Sequence, residues 1–292
     1  MRLVTFLSNG QPRPGLVVED AVLDLGTEFT GLQAIIEGGR EALQRIEAMA
    51  RSRQATIPLV EENLLAPLPE PRRNIFCVGW NYLAHFEEGK GRRGLADDAQ
   101  LPDHPTFFTK ASTAANGPYA PIVVEPHWTR RLDYEGELAV VIGRKGRDVP
   151  EEEALNYVFG YMAGNDISAR DLQRRHGGQW LKGKSLDGSC PMGPWLVTAD
   201  EIPDPQQLEV RCWVNDELRQ EAGTRQMIFT VARIIAELSH GMTLLPGDII
   251  LTGTPEGVGF AQNPPAYLHP GDVVTVEISG IGRIRNRIES AR

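Results

Sequence analysis

The sequence predicts a mainly β chain with some α, an α+β fold class, and three observations carry that expectation. Beyond residue 74 the apolar segments are short and separated by Gly and Pro turns. Few stretches show helical spacing, so the regular strand–helix alternation of a parallel α/β fold is missing. Residues 65–73, LAPLPEPRR, hold three prolines in nine positions. Proline fixes φ and removes a ladder donor, so this stretch reads as a linker between a small unit, 1–71, and a larger domain, 72–292.

The elements follow in order. In the first unit, 2–7 and 15–25 are strand-like, with Asn9-Gly10 and Glu19-Asp20 as turn signals. Residues 32–53 read as helix because Leu32, Ile35, Ile36, Leu43, Ile46 and Met49 recur at helical spacing. In the larger unit, 135–144 is a strand, 151–157 a short helix, 158–164 a strand and 168–176 a helix. A strand at 208–214 ends in the Asn215-Asp216 turn. Residues 228–240 form an amphipathic helix closed by Gly241. Pro-Gly-Asp turns at 246–248 and 270–272 each launch an apolar strand, 249–252 and 273–278.

Composition narrows the function. The 292 residues carry 30 Lys and Arg against 39 Asp and Glu, a net charge of −9. Phosphate contacts require clustered cations, so a nucleic-acid binder is excluded. The opening apolar run is broken at Ser8 and Asn9, too short for a secretion signal, and no stretch approaches the ~20 apolar residues of a membrane span. Cys77, Cys190 and Cys212 are odd in number and widely spaced, which fits a reducing cytoplasm and not a zinc cluster. Residues 178–185, GQWLKGKS, match a phosphate-loop pattern letter for letter. A helix precedes them and helix breakers follow, which is the wrong context for that loop.

The chemical signal lies in DYEGELAVVIG, 133–143. Glu135 and Glu137 are two apart and would share one face of a strand, beside apolar Ala139 and Val141. Like charges against an apolar surface repel and resist desolvation, and a divalent cation would relieve both penalties. A solvated strand face is the plain alternative. Asp166, at the junction of strand and helix in GYMAGNDISARD, supplies a third carboxylate, unless it simply caps the helix. Three carboxylates with open positions suit Mg²⁺ or Mn²⁺. Arg170 and Gln173 are three apart on one helix face, and Lys184 follows, so an anionic, oxygen-rich substrate such as a 2-oxo acid fits. Upstream, His85 and Glu88 stand at i and i+3, the arrangement of a general base with its orienting carboxylate, or else of an exposed helical contact. Residues 89–104 are expected to border the entrance.

In order along the chain, NIFCVGWNYLAHFEE, PTFFTKAST, DYEGELAVVIG, GNDISARDLQ, WLKGKSLDGSCPMGPWLV and LLPGDIILTGTPEGVG resemble the fumarylacetoacetate hydrolase superfamily over about residues 72–285. The resemblance implies a mixed β-sandwich roll with a small N-terminal domain, and a homodimer. It puts metal ligands on Glu135, Glu137 and Asp166, a catalytic dyad on His85 and Glu88, an active-site lysine on Lys184, and substrate contacts on Arg170, Gln173 and Thr254. Residues 77–82 lack the fourth carboxylate that fumarylacetoacetate hydrolase itself carries before its histidine. The implied branch is the three-carboxylate one, acting on acylpyruvates, oxaloacetate and 2-hydroxy-dienoate diacids. The expected reaction is Mg²⁺-dependent hydrolysis of a C–C bond in a 2,4-dioxo acid. Isomerisation of a dienoate, or decarboxylation or tautomerisation of oxaloacetate, is the alternative on the same residues. The rivals are a non-catalytic metal-binding protein and a nucleophilic Cys190.

Overall fold

The computed structural model describes residues 1–91 and 100–291. Half of the segment 89–104, residues 92–99, lies outside those described, and with it that part of the expectation for the entrance. Among the described residues the chain is strand-rich with few helices. A 12-stranded sheet has at its centre Cys190–Thr198, Val158–Asn165, Gly136–Ile142, Ile249–Leu251 and Ile75–Gly79, hydrogen-bonded in that order. A second, five-stranded sheet runs Glu217–Gly223, Glu209–Val214, Val273–Ile278, Gly282–Ser290, Ile122–Val124. One core lies between the sheets, with Leu138, Val140, Val210, Val276 and Ile284 fully buried. A second core lies on the other face of the large sheet. There Ala139, Val141, Met162 and Leu251 pack with Ile35, Ile36 and Ile46 of the helix Leu32–Ser52. The central strands are buried on both faces, which is why they read as continuous apolar runs and not as alternation.

The N-terminal residues join this sheet. Arg2–Ser8 pairs antiparallel with Cys190–Thr198 through Arg2 with Val197 and Leu3 with Leu196, and Leu64–Leu65 pairs with Thr5 and Phe6. The helix Leu32–Ser52 has its periodic apolar stripe buried, and bends at Gly39, which adopts φ 52°. Among the described residues no helix is long and apolar enough to cross a membrane.

Three expected elements are shorter than their sequence pattern, each for a local reason. The strand begins at Gly136, not Glu135, because the Glu135 N–H donates to the Asn165 side chain at 3.0 Å instead of to a ladder carbonyl. The helix after Asp166 begins at Arg170. Ser168 and Ala169 are taken by antiparallel pairing with Asp133 and Leu132. The helix Val231–Ser239 starts late because Asn81 captures the N–H groups of Ile228 and Phe229.

Candidate active site

The register of two central strands builds the site. Gly136 lies opposite Asn165 and Glu137 opposite Gly164, so the neighbouring ends bring Glu135, Glu137 and Asp166 together. Carboxylate oxygens of all three lie within 4.8 Å of one another, and all three side chains are buried. Asp166 caps no helix. Its Oδ1 accepts from Lys110 Nζ at 2.8 Å and its Oδ2 from Lys184 Nζ at 2.8 Å. Lys184 also donates to Glu135 Oε2 at 2.6 Å, and Arg170 Nη2 lies 2.7 Å from Glu135 Oε1. With its ammonium held by two carboxylates, Lys184 is not a phosphate-loop lysine.

Glu137 differs from its neighbours. It accepts the Gly253 N–H at 2.7 Å, and no ion pair reaches it among the described residues. Burial raises its pKa well above the ordinary carboxylate value, and repulsion from Asp166 and Glu135 adds to this. Burial also opposes ionisation of Glu135, but Lys184 and then Arg170 outweigh it and hold that carboxyl down at about 2. Lys184 follows the same pattern in reverse. Desolvation works against its charge, and the Asp166 and Glu135 carboxylates overcome it and raise the pKa, so it is a fixed cation and not a base. Within this buried group stand four carboxyl groups, on Asp133, Glu135, Glu137 and Asp166, and three cationic side chains, Lys110, Arg170 and Lys184. The surplus carboxyl and the cation-free Glu137 fit a hard divalent ion, which takes oxygen ligands and favours ionised carboxylates.

His85 lies across the cavity on the short helix Leu83–Glu88. Its Nδ1 is 2.7 Å from Glu88 Oε1, and Glu88 Oε2 in turn accepts the Gly257 N–H at 2.8 Å. The carboxylate thus fixes the imidazole with Nδ1–H toward Glu88, which leaves Nε2 as the basic nitrogen. Gln173 Oε1 accepts from Arg170 Nη1 at 3.2 Å. Thr254 Oγ1 donates to the Gly136 carbonyl at 3.1 Å and accepts from Gln220 Nε2 at 2.8 Å. His85, Glu135, Glu137, Arg170, Gln173, Lys184 and Thr254 all line one cavity of about 80 Å³, and Asp166 stands directly behind Lys184. Glu88 orients His85 from outside the lining. Cys190 is fully buried, and burial pushes its thiol up to about 12, which removes it as a nucleophile at neutral pH.

Two buried charges escaped the sequence reading. Lys110, at the end of strand Thr106–Lys110, also donates to the Ile167 carbonyl at 3.0 Å. Asp133 accepts four hydrogen bonds: Oδ2 from Arg170 Nε at 2.8 Å and Phe260 N at 3.0 Å, Oδ1 from Gly259 N at 2.7 Å and Tyr134 N at 3.0 Å. Lys110 had one available signal, its place at the end of the otherwise apolar PTFFTK run. Asp133 had none beyond lying two residues before Glu135.

A buried acidic triad with cationic and imidazole groups stands at a small cavity by the ends of central strands of the large sheet, the arrangement of an enzyme active site. The family model described as fumarylacetoacetate (FAA) hydrolase C-terminal matches residues 74–289, and the chain belongs to that enzyme family. The chain is 41% identical over 297 residues to the mitochondrial oxaloacetate tautomerase fahd2 of Xenopus laevis, covering 99% of this chain and 90% of that protein. It is 46% identical over 230 residues to oxaloacetate tautomerase YisK of Bacillus subtilis, covering 79% of this chain and 74% of that one. Among solved structures it resembles maleylpyruvate hydrolase from Sphingobium sp. SYK-6 in complex with manganese(II) ion and pyruvate. That match has TM-score 0.81 and 32% identity over the whole of both chains.

Proposed function

We propose that this enzyme interconverts the enol and keto forms of oxaloacetate at a divalent-metal site. The observation that carries the reading is the small cavity in which His85 faces Lys184, Glu135 and Glu137. Its volume of about 80 Å³ is the scale of a small molecule and not of a polymer. The names of the relatives from Xenopus laevis and Bacillus subtilis support the same substrate.

Glu135, Glu137 and Asp166 would hold the metal, Mg²⁺ or Mn²⁺. When bound, it supplies Lewis-acid stabilisation of negative charge on a 2-oxo acid's oxygens. His85 Nε2 takes the proton from the enol hydroxyl and returns it to C3, and in the reverse direction takes it from C3. Glu88 holds the imidazole in the tautomer that can accept. Lys184 and Arg170 keep fixed positive charge beside the oxygen on which negative charge develops. Gln173 and Thr254 border the substrate as polar contacts. No attacking water is required.

Hydrolysis of an acylpyruvate is the second reading. It is favoured by the likeness to maleylpyruvate hydrolase and by the same dyad, which could instead deprotonate water. A reducing compartment such as the cytoplasm and a homodimeric assembly complete the proposal; the Xenopus laevis relative carries the name of a mitochondrial protein. The test is the decay of enol absorbance in freshly dissolved oxaloacetate, with Mg²⁺ and with chelator. Pyruvate release is followed in parallel from oxaloacetate and from an acylpyruvate. Fast Mg²⁺-dependent ketonisation with little pyruvate is expected. Enol decay no faster than in buffer overturns the tautomerase reading, and pyruvate release from the acylpyruvate alone establishes the hydrolase.

A further inference from the structure

The charged side chains share the cavity with an aromatic group drawn from positions up to a hundred residues apart, and Lys184 Nζ lies 5.0 Å from the centre of the Phe108 ring. Trp180 meets Phe108 edge to face, with ring centroids 5.0 Å apart, and meets Trp80 in the same way at 5.1 Å. All three line the cavity. Trp80 adopts φ 57°, an uncommon conformation for a bulky residue, directly after the strand Ile75–Gly79.

Gly79 shows what the indole is doing there. This glycine is not in the left-handed region, so its backbone does not require glycine. A Cβ at position 79 would lie 2.5 Å from Trp180 Cζ3 and 2.8 Å from Cη2. The outer edge of the indole therefore occupies the space that any other side chain at 79 would fill. The inner end is equally fixed. The Trp180 carbonyl accepts the N–H of Gly183 at 2.9 Å and of Lys184 at 3.1 Å, and Lys184 is bound to Glu135 and Asp166. The backbone of Trp180 is thereby tied, through Lys184, to the carboxylate triad.

We propose that Trp180, seated on the bare Cα of Gly79, is the end wall that limits the length of substrate this cavity accepts. The inference rests on the 2-oxo acid reading above and adds its upper size limit. A diacid anchored at the charged end can extend only until its distal carbons meet the indole. Trimming the indole opens the cavity toward Gly79 without removing a charge. Adding a methyl at 79 pushes the indole inward and shortens it.

The test compares a short and a long diacid by calorimetric titration of the Mg²⁺-loaded protein, with oxalate and 2-oxoadipate as probes. Trp180→Ala should raise the affinity for 2-oxoadipate relative to oxalate by about tenfold or more, the scale of one or two methylenes gaining room in a pocket. Gly79→Ala should shift the ratio the other way, and Trp180→Phe should fall between wild type and Trp180→Ala. A ratio unchanged within about twofold in a folded Trp180→Ala protein overturns the proposal. If that variant does not fold, Gly79→Ala decides, and equal weakening of both probes overturns the proposal. A wild-type enzyme that fails to ketonise oxaloacetate sinks the proposed function while leaving this comparison of bound lengths readable.

Discussion

Replacing Asp133 by asparagine preserves its shape and removes one charge. Both carboxylate oxygens are acceptors only, and all four of their partners are donors: Arg170 Nε and Phe260 N on Oδ2, Gly259 N and Tyr134 N on Oδ1. An amide must turn its NH₂ toward one of these pairs, so two donors lose their acceptor whichever way it is placed. If the NH₂ meets Arg170, a fully buried guanidinium also loses one of its two carboxylate partners. Breaking a buried ion pair from one side costs about 3–5 kcal/mol. For a chain of this size a loss of 1 kcal/mol lowers the melting temperature by ~2–4 °C, so Asp133→Asn should melt about 6–20 °C below wild type. Arg170 lines the cavity, so KM for the substrate should rise as well. Thermal unfolding and steady-state kinetics on the same preparation measure both effects. A variant that melts within about 2 °C of wild type, with unchanged KM, would refute the claim that Asp133 anchors Arg170 and the 257–260 turn.

Two further outcomes follow from the site. His85→Ala should lower the rate by about 10²–10⁴-fold at saturating metal, the loss of a general base, with the melting temperature little changed; an activity within about twofold of wild type removes His85 from the proton transfer. In the metal-free protein the Glu137 pKa is raised, so the stability linked to it is present below the ordinary carboxylate value and is lost as pH rises through the raised one. Mg²⁺ competes with that proton. The thermal stabilisation it gives should therefore grow as pH rises above the ordinary carboxylate range, and should vanish in Glu135→Ala and Asp166→Ala. A pH-independent gain, or one kept by those variants, contradicts the assigned ligands.

The sequence made parts of this site legible because they are local. Glu135 and Glu137 stand two apart, His85 and Glu88 one helical turn apart, and Arg170 and Gln173 likewise, and each spacing alone implies proximity. The order of the short segments supplied the rest of the resemblance. What it could not show is pairing across distance. Lys110 meets Asp166 from 56 residues away and Asp133 meets Arg170 from 37 away, through strand register that no local pattern encodes. The ends of elements were misjudged for a related reason. Asn81 and Asn165 take backbone N–H groups that periodicity assigns to a helix and a strand. The contact of Trp180 with Gly79 joins two residues that look ordinary where they stand.

The strand Cys190–Thr198 lies between Val158–Asn165 on one side and Arg2–Ser8 on the other. Its contact with the N-terminal strand is short, only Arg2 with Val197 and Leu3 with Leu196, yet it is what covers that side of the central sheet. A chain truncated to begin at residue 72 would keep every side chain of the carboxylate site. It would also leave the N–H and C=O groups of Leu196 and Val197 without their partners, and expose the faces of Met192 and Leu196 now packed against the N-terminal core. Such an edge recruits other strands. The foreseeable failure of the shortened enzyme is self-association in solution, and a protecting edge strand, more than any contribution to catalysis, is what its first residues supply.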